Sequence, residues 1–273
     1  MNRLAALSLP LLAACLLALP APAQAAQGDM DIQLLRPTFA PWGLMSTPGA
    51  RPGRQWTVRA GLMLQYERAP LVVIDQTDEI AKVVSDRVGF NVGGYVALLD
   101  GFGVGLSIPM YAQGGDYYNY SVPGFALGDM RIDVAYRLLD LGFFALAVRG
   151  DFFLPTSTKD AFAGERKPRA MPALTAEFGV PRFSGVFEFS GMIRERVHTG
   201  FDMDMGVELG ILVGLKGWAI REKLLIMGEF QSRASVQHFL TGAIPQRASS
   251  DPQTREHWFC LQNDIAKAEN GDS

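Results

Sequence analysis

Residues 127–139 read Leu-Gly-Asp-Met-Arg-Ile-Asp-Val-Ala-Tyr-Arg-Leu-Leu, and from residue 130 onwards every second side chain is apolar. Successive side chains of a β-strand point to opposite faces, so this segment predicts a strand with one apolar and one charged face. A soluble sheet packs the apolar face into a core, whereas a membrane barrel turns it to lipid and turns the charged face to the lumen. One strand fits both structures, so the rest of the chain must decide.

The same alternation predicts eight further strands, near residues 56–66, 87–98, 103–113, 143–154, 170–178, 183–194, 204–215 and 223–233. Weaker alternation in residues 234–247 predicts a tenth strand. Most of the nine clear strands have 9 to 12 residues. A tilted strand needs roughly 9–11 residues to cross a bilayer, whereas the mean soluble strand has only about 5–6. The strand lengths therefore favour a transmembrane barrel.

The predicted connections alternate in length along the chain. The short ones cover residues 99–102, 139–142 and 179–182, with 216–222 somewhat longer; the long ones cover residues 69–85, 114–126, 155–169 and 195–203. Outer-membrane barrels alternate short periplasmic turns with longer outer loops. A soluble sandwich has no reason to do so. The sequence therefore predicts an all-β, antiparallel transmembrane β-barrel over residues 55–247.

The composition agrees with an all-β membrane protein. Charged residues make up 19% of the 273 residues, which is below the roughly 25% of ordinary globular proteins. The formal net charge of -3 gives no reason to expect nucleic acid as a partner. The 29 glycines and the scarcity of long helical patterns favour strands over an α/β enzyme.

Residues 1–25 are predicted to be a secretory signal peptide. Arg3 supplies the positive start, residues 4–19 are apolar, and Ala23-Gln24-Ala25 is a small-x-small cleavage site. A lipoprotein signal ending at Cys15 is the alternative. Cleavage after Ala25 would leave Cys260 as the only thiol, which excludes an intrachain disulfide. No later run is long and apolar enough to predict a spanning helix. An exported chain of this kind is soluble in the periplasm, secreted, or an outer-membrane barrel, and the strand pattern predicts the last of these.

Two further segments complete the predicted organisation. Residues 26–54 are rich in Pro and Gly and are expected to form an irregular segment on the periplasmic side. Residues 248–273 are polar, lack a strand pattern and are predicted to be a C-terminal tail. The expected partners are outer-membrane lipid, lipopolysaccharide, the barrel-assembly machinery and a small solute of unknown identity.

Strand parity assigns a nearly balanced set of charges to the lumen. The predicted lumen-facing residues are Arg59, Arg87, Asp129, Arg131, Asp133, Arg137, Arg149, Asp151, Glu177, Glu188, Arg194, Glu208 and Glu229, with Asp204 and Arg233 by the same rule. These residues would either line a polar channel or fill a narrow barrel with salt bridges and leave no open pore. Their balance argues against strong ion selectivity, which needs a ring of one sign.

Other candidate chemistry has little support in the sequence. Tyr117, Tyr118 and Tyr120 fall in a predicted outer loop, where they would form a ligand platform or simply sit at the membrane interface. Of the three histidines, His198 lies on a predicted outer loop, and His238 and His257 lie in the irregular C-terminal part of the chain. No metal, phosphate-binding or dinucleotide motif is present. We therefore predict no enzyme activity, no cofactor and no metal.

Two motifs in the opening stretch resemble a known family pattern. Leu127-Gly128-Asp129-Met130-Arg131 followed by Tyr136-Arg137-Leu138-Leu139 resembles a strand of predicted outer-membrane barrels. Those barrels are the phenol-degradation MetA-type transporters and the front barrels of myxobacterial OmpA-family proteins. Residues 33–37, 49–51, 68–73 and 162–165 also resemble segments of the myxobacterial group.

The resemblance implies a barrel of about twelve strands that acts on small, hydrophobic solutes. Residues 248–273 depart from the family pattern, so peptidoglycan binding is not implied and a truncated or frameshifted reading frame is expected as an alternative. Three functions follow from the sequence. The first is a channel or transporter-like barrel. The second is a structural barrel, presenting surface loops or anchoring the envelope without transport. The third is a soluble secreted β-sandwich or lipocalin-like carrier, whose apolar face would be buried.

Overall fold

A computed structural model describes residues 30–33, 35–40, 43–74, 80–117, 120–180, 182–195, 197–198, 204–220 and 224–236. The predicted signal peptide, residues 237–247 of the predicted tenth strand and the predicted tail lie outside this part. Among the described residues, no helix has both the length and the apolar character needed to span a membrane.

The described chain is built from strands. They are β1 Val58–Ile74, β2 Ile80–Leu99, β3 Phe102–Gly114, β4 Asp116–Tyr117, β5 Tyr120–Ser121, β6 Phe125–Leu127, β7 Met130–Asp140, β8 Phe144–Leu154, β9 Arg169–Val180, β10 Phe183–Met192, β11 Val197–His198, β12 Asp204–Met205, β13 Glu208–Ile220 and β14 Leu224–Ser235. Ten of them form one antiparallel sheet in the order β1-β2-β3-β7-β8-β9-β10-β13-β14, with β6 paired to β3. The sheet curls into a half-barrel.

The nine predicted strands each have a counterpart among the nine long strands, so the antiparallel all-β prediction is confirmed. Two predicted connections are wrong. Residues 69–85 are mostly strand, because the apolar end of β1, which is rich in Val and Ile, pairs with the start of β2, as in Val73 with Ala81 and Ile74 with Ile80. Residues 216–222 are mostly the end of β13, where Trp218 pairs with Leu225.

The connections alternate between the two ends of the sheet. β2 and β3 are joined by Asp100 and Gly101 alone, and Gly101 has a φ of 86°, as a two-residue hairpin turn requires. The connection from β3 to β7 is long and includes β4, β5 and β6, and that from β8 to β9 covers residues 155–168. Between β1 and β2, only residues 75–79 connect the strands, because both strands are longer than predicted.

The two faces of the sheet differ in polarity. On β8, Arg149 and Asp151 are 6% and 0% exposed on the concave face, whereas Val148 and Phe152 are each 41% exposed on the convex face. The alternation repeats on β13, where Ile211 and Val213 are exposed. The concave face thus holds buried charge and the convex face holds exposed apolar side chains, the reverse of a soluble sheet.

The two edge strands run in the same direction. Nine strands lie on the path from β1 to β14 and each pairs antiparallel with the next, so the first and the last are parallel. No ladder joins β1 to β14 in the part of the chain described above. A further strand placed between them would have to run antiparallel to both.

Candidate functional site

The described residues of 30–54, here called the N-terminal segment, lie along the concave face. Phe39 packs against Gly93, and Leu44 packs against Gly214; a Cβ at either glycine would overlap these side chains. Thr47 is fully buried. The sequence predicts an irregular segment on the periplasmic side and gives no sign of this packing, because the Pro-rich residues have no strand or helix period.

The segment runs from one end of the sheet to the other. Asp31 forms a β-bridge with Ala163 in the long connection between β8 and β9. Arg51, near the other end of the segment, donates a hydrogen bond of 2.6 Å to the carbonyl of Gly142 in a short turn. The chain then enters β1 at that same end. The segment therefore spans the height of the half-barrel.

Arg169, at the start of β9, is the centre of a first ionic cluster. Its guanidinium lies 2.6 Å from Asp31, 3.1 Å from Asp129 and 2.7 Å from Glu165, and it stacks over the ring of Phe153 at 4.5 Å. Arg169 is 4% exposed. The N-terminal segment, the residue before β7, the connection between β8 and β9 and the start of β9 thus meet at the buried guanidinium of Arg169.

Two carboxylates of this cluster respond differently to burial. Burial alone would raise the pKa of Asp31, but the guanidinium groups of Arg169 and Arg36 hold that pKa well below its ordinary value. Burial raises the pKa of Asp129 above its ordinary value, and Arg169 only partly opposes this. Asp31 is therefore the firmly ionised partner that joins the segment to β9.

Arg194, after β10, extends the first cluster to β13. Its guanidinium donates hydrogen bonds to Glu165 and to Glu208. The Arg194 and Glu165 side chains are 4% and 1% exposed. Glu165 therefore bridges two buried arginines, and the connection that carries it is fixed over the concave face.

Arg149, on β8, is the centre of a second cluster. It lies 2.5 Å from Asp151 on its own strand and 2.8 Å from Glu188 on β10. Glu188 also accepts hydrogen bonds from the hydroxyl of Thr175 at 2.9 Å and from that of Thr47 at 2.5 Å. The N-terminal segment is thus bonded to the middle of the sheet through a carboxylate that is already paired.

Two further carboxylates hold the end of the segment. Glu177, on β9, accepts a hydrogen bond from the amide of Ala50 at 3.1 Å and pairs with Arg51 and Lys216 at 3.2 and 3.1 Å. Glu229, on β14, accepts hydrogen bonds from the amide and the hydroxyl of Ser46. Side chains of β9, β10 and β14 thus bind this segment.

An apolar cluster covers the end of the sheet that carries the long connections. It consists of Met30, Val83, Val84, Val122 and Phe162. Beside it, Arg87 is fully buried, donates a hydrogen bond of 2.7 Å to Glu67 and lies 4.4 Å over the ring of Tyr111. The concave face is therefore covered at this end by its own loops.

Most of the predicted lumen-facing residues lie together on the concave face. Buried or part-buried contacts there involve Arg87, Asp129, Arg131, Asp133, Arg149, Asp151, Glu177, Glu188, Arg194, Glu208 and Glu229. Arg59 is more exposed and donates to the carbonyl of Ala40 at 3.4 Å. Arg137 lies apart, at the short-turn end, and pairs with Asp140 at 3.0 Å.

Sequence reasoning missed several residues of these clusters. Glu67 and Arg169 follow the inward parity of β1 and β9, but each falls one residue outside the predicted strand. Asp31, Arg36 and Glu165 lie outside the strands, so no periodicity marked them. Glu67 and Arg169 would have been found if the two predicted strands had been one residue longer.

Two small cavities flank Arg36 and Arg131 on the concave face. Their volumes are about 20 Å³ and about 10 Å³, which is close to the space that one water molecule needs. Neither is large enough for an organic solute. In the described part of the chain, the concave face is filled by the N-terminal segment and by paired charges.

Several other residues singled out in the sequence lie outside the described part of the chain. Tyr117 and Tyr120 pair through their backbones in the β4–β5 hairpin, but their side chains, and all of Tyr118, lie outside the described residues. So do His238, His257 and both cysteines. Within the described residues, no group of side chains is arranged to hold a metal ion.

Comparison with protein-family models and with curated proteins found no match. The resemblance to the OmpA-family and MetA-type barrels therefore stays a prediction.

Proposed function

We propose that this chain is an outer-membrane β-barrel protein whose lumen is occupied by its own N-terminal segment, and that it serves as a structural barrel rather than an open pore. The observation that carries the proposal is the polarity of the sheet. Charges such as Asp151 are fully buried on the concave face, while apolar residues such as Phe187 are 43% exposed on the convex face. This arrangement is favourable in a bilayer, because the exposed apolar side chains contact lipid instead of water while the charged side chains face the lumen.

The same observation weighs against a soluble carrier. A soluble β-sandwich or lipocalin-like protein would bury the apolar face, yet Leu62, Ile211 and Phe230 are 60%, 45% and 68% exposed. Monomeric soluble proteins rarely expose contiguous apolar surface on this scale. The convex face fits lipid better than water.

The strand directions support closure by further strands. Open sheet edges are not tolerated in lipid, because their backbone groups lack partners. The edge strands β1 and β14 are parallel, so an odd number of added strands gives antiparallel pairing on both sides. The predicted tenth strand, residues 234–247, would supply one, and the twelve-strand family pattern would supply three.

The filled concave face favours a structural barrel over an open channel. Arg149, Glu188 and Thr47 form one bonded unit in the middle of the sheet, and the cavities beside it are water-sized. A channel for solutes needs a continuous wet path. Surface-loop presentation or envelope anchoring needs only a stable barrel.

A gated transporter is the second candidate. Its support is the way the segment is bound: the contacts of Asp31, Ser46 and Thr47 with β9, β14 and β10 run through side chains, not through a β-ladder. The segment could therefore leave while the sheet remains intact. The resemblance to MetA-type transporters would then imply small, hydrophobic solutes.

Fractionation and conductance together test the proposal. We expect the protein in the outer membrane, with faster gel migration before boiling than after, and with no steady conductance in planar bilayers. Recovery as a soluble periplasmic protein would overturn the barrel. Steady conductance of the unaltered protein would overturn the structural function.

A variant distinguishes the two candidates. The combination of Asp31→Asn, Ser46→Ala and Thr47→Val removes contacts of the segment but leaves every strand side chain in place. Conductance or liposome swelling in this variant alone would support the gated transporter. A silent variant that still shows the gel shift would support the structural barrel.

A further inference from the structure

The larger cavity on the concave face has an unusual charge. Its ionisable lining consists of Arg36, Arg131, Arg149, Arg233 and a single carboxylate, Glu188. The remaining polar lining is neutral, from serines and Gln231. Four arginines and one carboxylate therefore line this cavity, although the concave face as a whole is nearly balanced. Arg36, Arg131 and Arg149 are buried, and Arg233 is exposed.

Two of these arginines keep hydrogen-bond donors without a partner. Arg36 pairs with Asp31 through Nη2, while its Nε and Nη1 atoms have no partner among the described residues. Arg131 donates to the carbonyls of Arg36 and Pro37, and its Nε likewise has no described partner. The two arginines are 6% and 4% exposed. A buried N–H group without an acceptor costs free energy, so an acceptor is expected beside these two arginines.

The carboxylates nearby do not supply that acceptor. Arg149 is already paired with Asp151 and Glu188. Asp31 and Asp151 pair with the arginines but do not line the cavity. Arg233, on β14, has no ion pair in the described part of the chain. Positively charged residues and the two arginines with unused N–H groups therefore line the same cavity.

We propose that this cavity binds a monatomic inorganic anion of the halide class, with chloride as the occupant in ordinary salt. The volume of about 20 Å³ fits one sphere of about the size of a water molecule. A water molecule could accept hydrogen bonds here, but it carries no negative charge to attract the arginines of the lining. A halide supplies both the acceptor and the charge. Phosphate or sulfate would not fit without displacement of the lining.

The bound anion would join the N-terminal segment to the sheet. Arg36 belongs to the segment, whereas Arg131, Arg149 and Arg233 belong to β7, β8 and β14. A ligand that binds only the folded arrangement stabilises it by mass action. Chloride would therefore hold the segment in place, whether the barrel is structural or gated, and this inference does not depend on the proposed function.

The test measures thermal unfolding of the full-length protein in mild detergent. Chloride replaces gluconate at constant ionic strength, so that only the anion changes, and tryptophan fluorescence reports unfolding. We expect the midpoint to rise by roughly 5 °C at saturating chloride. Arg233→Gln should remove most of this rise, and it should fold normally because Arg233 has no described ion pair.

Arg51→Gln is the matched control. It also changes an arginine at the concave face, one that belongs to the segment, but Arg51 pairs with Glu177 and does not line the cavity. It should lower the midpoint while the chloride-dependent rise remains. An equal rise in Arg233→Gln, no rise in the unaltered protein, or a rise with phosphate alone would each overturn the proposal.

Bromide gives a second measurement that needs no variant. Crystals of the unaltered protein soaked in sodium bromide should show an anomalous peak in the larger cavity, which Arg149 and Arg233 also line. An empty cavity at high bromide would overturn the site even if Arg233→Gln fails to fold.

Discussion

The carboxylate of Asp31 and the guanidinium of Arg169 lie 2.6 Å apart, although 138 residues separate them in the chain. Both side chains are buried, at 3% and 1% exposure. Because Asp31 belongs to the N-terminal segment and Arg169 to β9, this pair connects the segment to the sheet at the end that carries the long connections. The first two predictions follow from it.

Asp31→Asn should destabilise the folded protein by about 3 kcal/mol, because a buried cation loses a charged partner. Urea unfolding in detergent, followed by tryptophan fluorescence, measures the change. Glu195→Gln is the control: the Glu195 side chain is 56% exposed and pairs with Lys167 at the surface, so we expect a change within about 0.5 kcal/mol. Equal effects of the two substitutions would contradict the structural role of the pair.

The contribution of Asp31 should depend on pH only in strong acid. Its pKa in the folded protein is held below the ordinary value of 3.8, so the folded state binds this proton less tightly than the unfolded state. The stabilisation is therefore fully present above about pH 4 and is lost as the pH falls towards the folded-state pKa. The stability difference between the unaltered protein and Asp31→Asn should stay constant from pH 8 to about pH 5 and shrink below pH 4.

Gly214→Ala should loosen the N-terminal segment, because the new Cβ would overlap the buried side chain of Leu44. Overpacking of this kind costs about 1–3 kcal/mol. Limited chymotrypsin digestion should then cleave after Phe39 and Leu44 faster than in the unaltered protein. Gly228→Ala is the control, since nothing lies within 4 Å of its Cβ position; similar cleavage in both variants would show that Leu44 is not seated there.

Val213→Lys should impair folding into lipid vesicles by about 2–4 kcal/mol if the middle of β13 lies at the bilayer midplane. Val213 is 45% exposed on the convex face. Leu138→Lys, near the end of β7, should cost only about 0–1 kcal/mol at the interface. Denaturant titration in vesicles measures both. Near-neutral results at both positions would indicate that the convex face meets water.

Removal of residues 236–273 should prevent formation of the heat-modifiable species. The two parallel edge strands would then have no strand between them, and an open edge in lipid leaves backbone groups unpaired. A chain that ends at Arg247 keeps the predicted tenth strand and should still show the gel shift. If the shorter chain shifts as well, β1 and β14 close without help from later residues.

Much of the sheet could be predicted from local sequence. The period-two pattern of Ile132, Val134 and Tyr136 against Arg131 and Asp133 is a property of neighbouring residues, so it marks a strand and its two faces without any tertiary knowledge. The same rule placed Arg149 and Glu188 on one face. Strand ends were less accurate: residues 71–74 and 80–84, which are rich in Val and Ile, continue β1 and β2 although a loop was expected there.

The candidate site could be predicted only in part. Parity indicates that Arg149 and Glu188 face the same side, but not that they meet each other and Thr47. Their pairing depends on the register of β8, β9 and β10. The unpaired donors of Arg36 and Arg131 depend on the path of the N-terminal segment, which has no periodicity to reveal it.

The sequence by itself determined the strands, their alternation and the inward set of charges, because each of these depends on side chains one or two residues apart. Only the tertiary structure decided which charges pair, that the N-terminal segment lies along the concave face, and that the two cavities beside Arg36 and Arg131 are water-sized. These features arise from sheet curvature and from contacts between distant parts of the chain, such as Asp31 with Arg169. No local pattern encodes such contacts, because their geometry exists only once the sheet has formed.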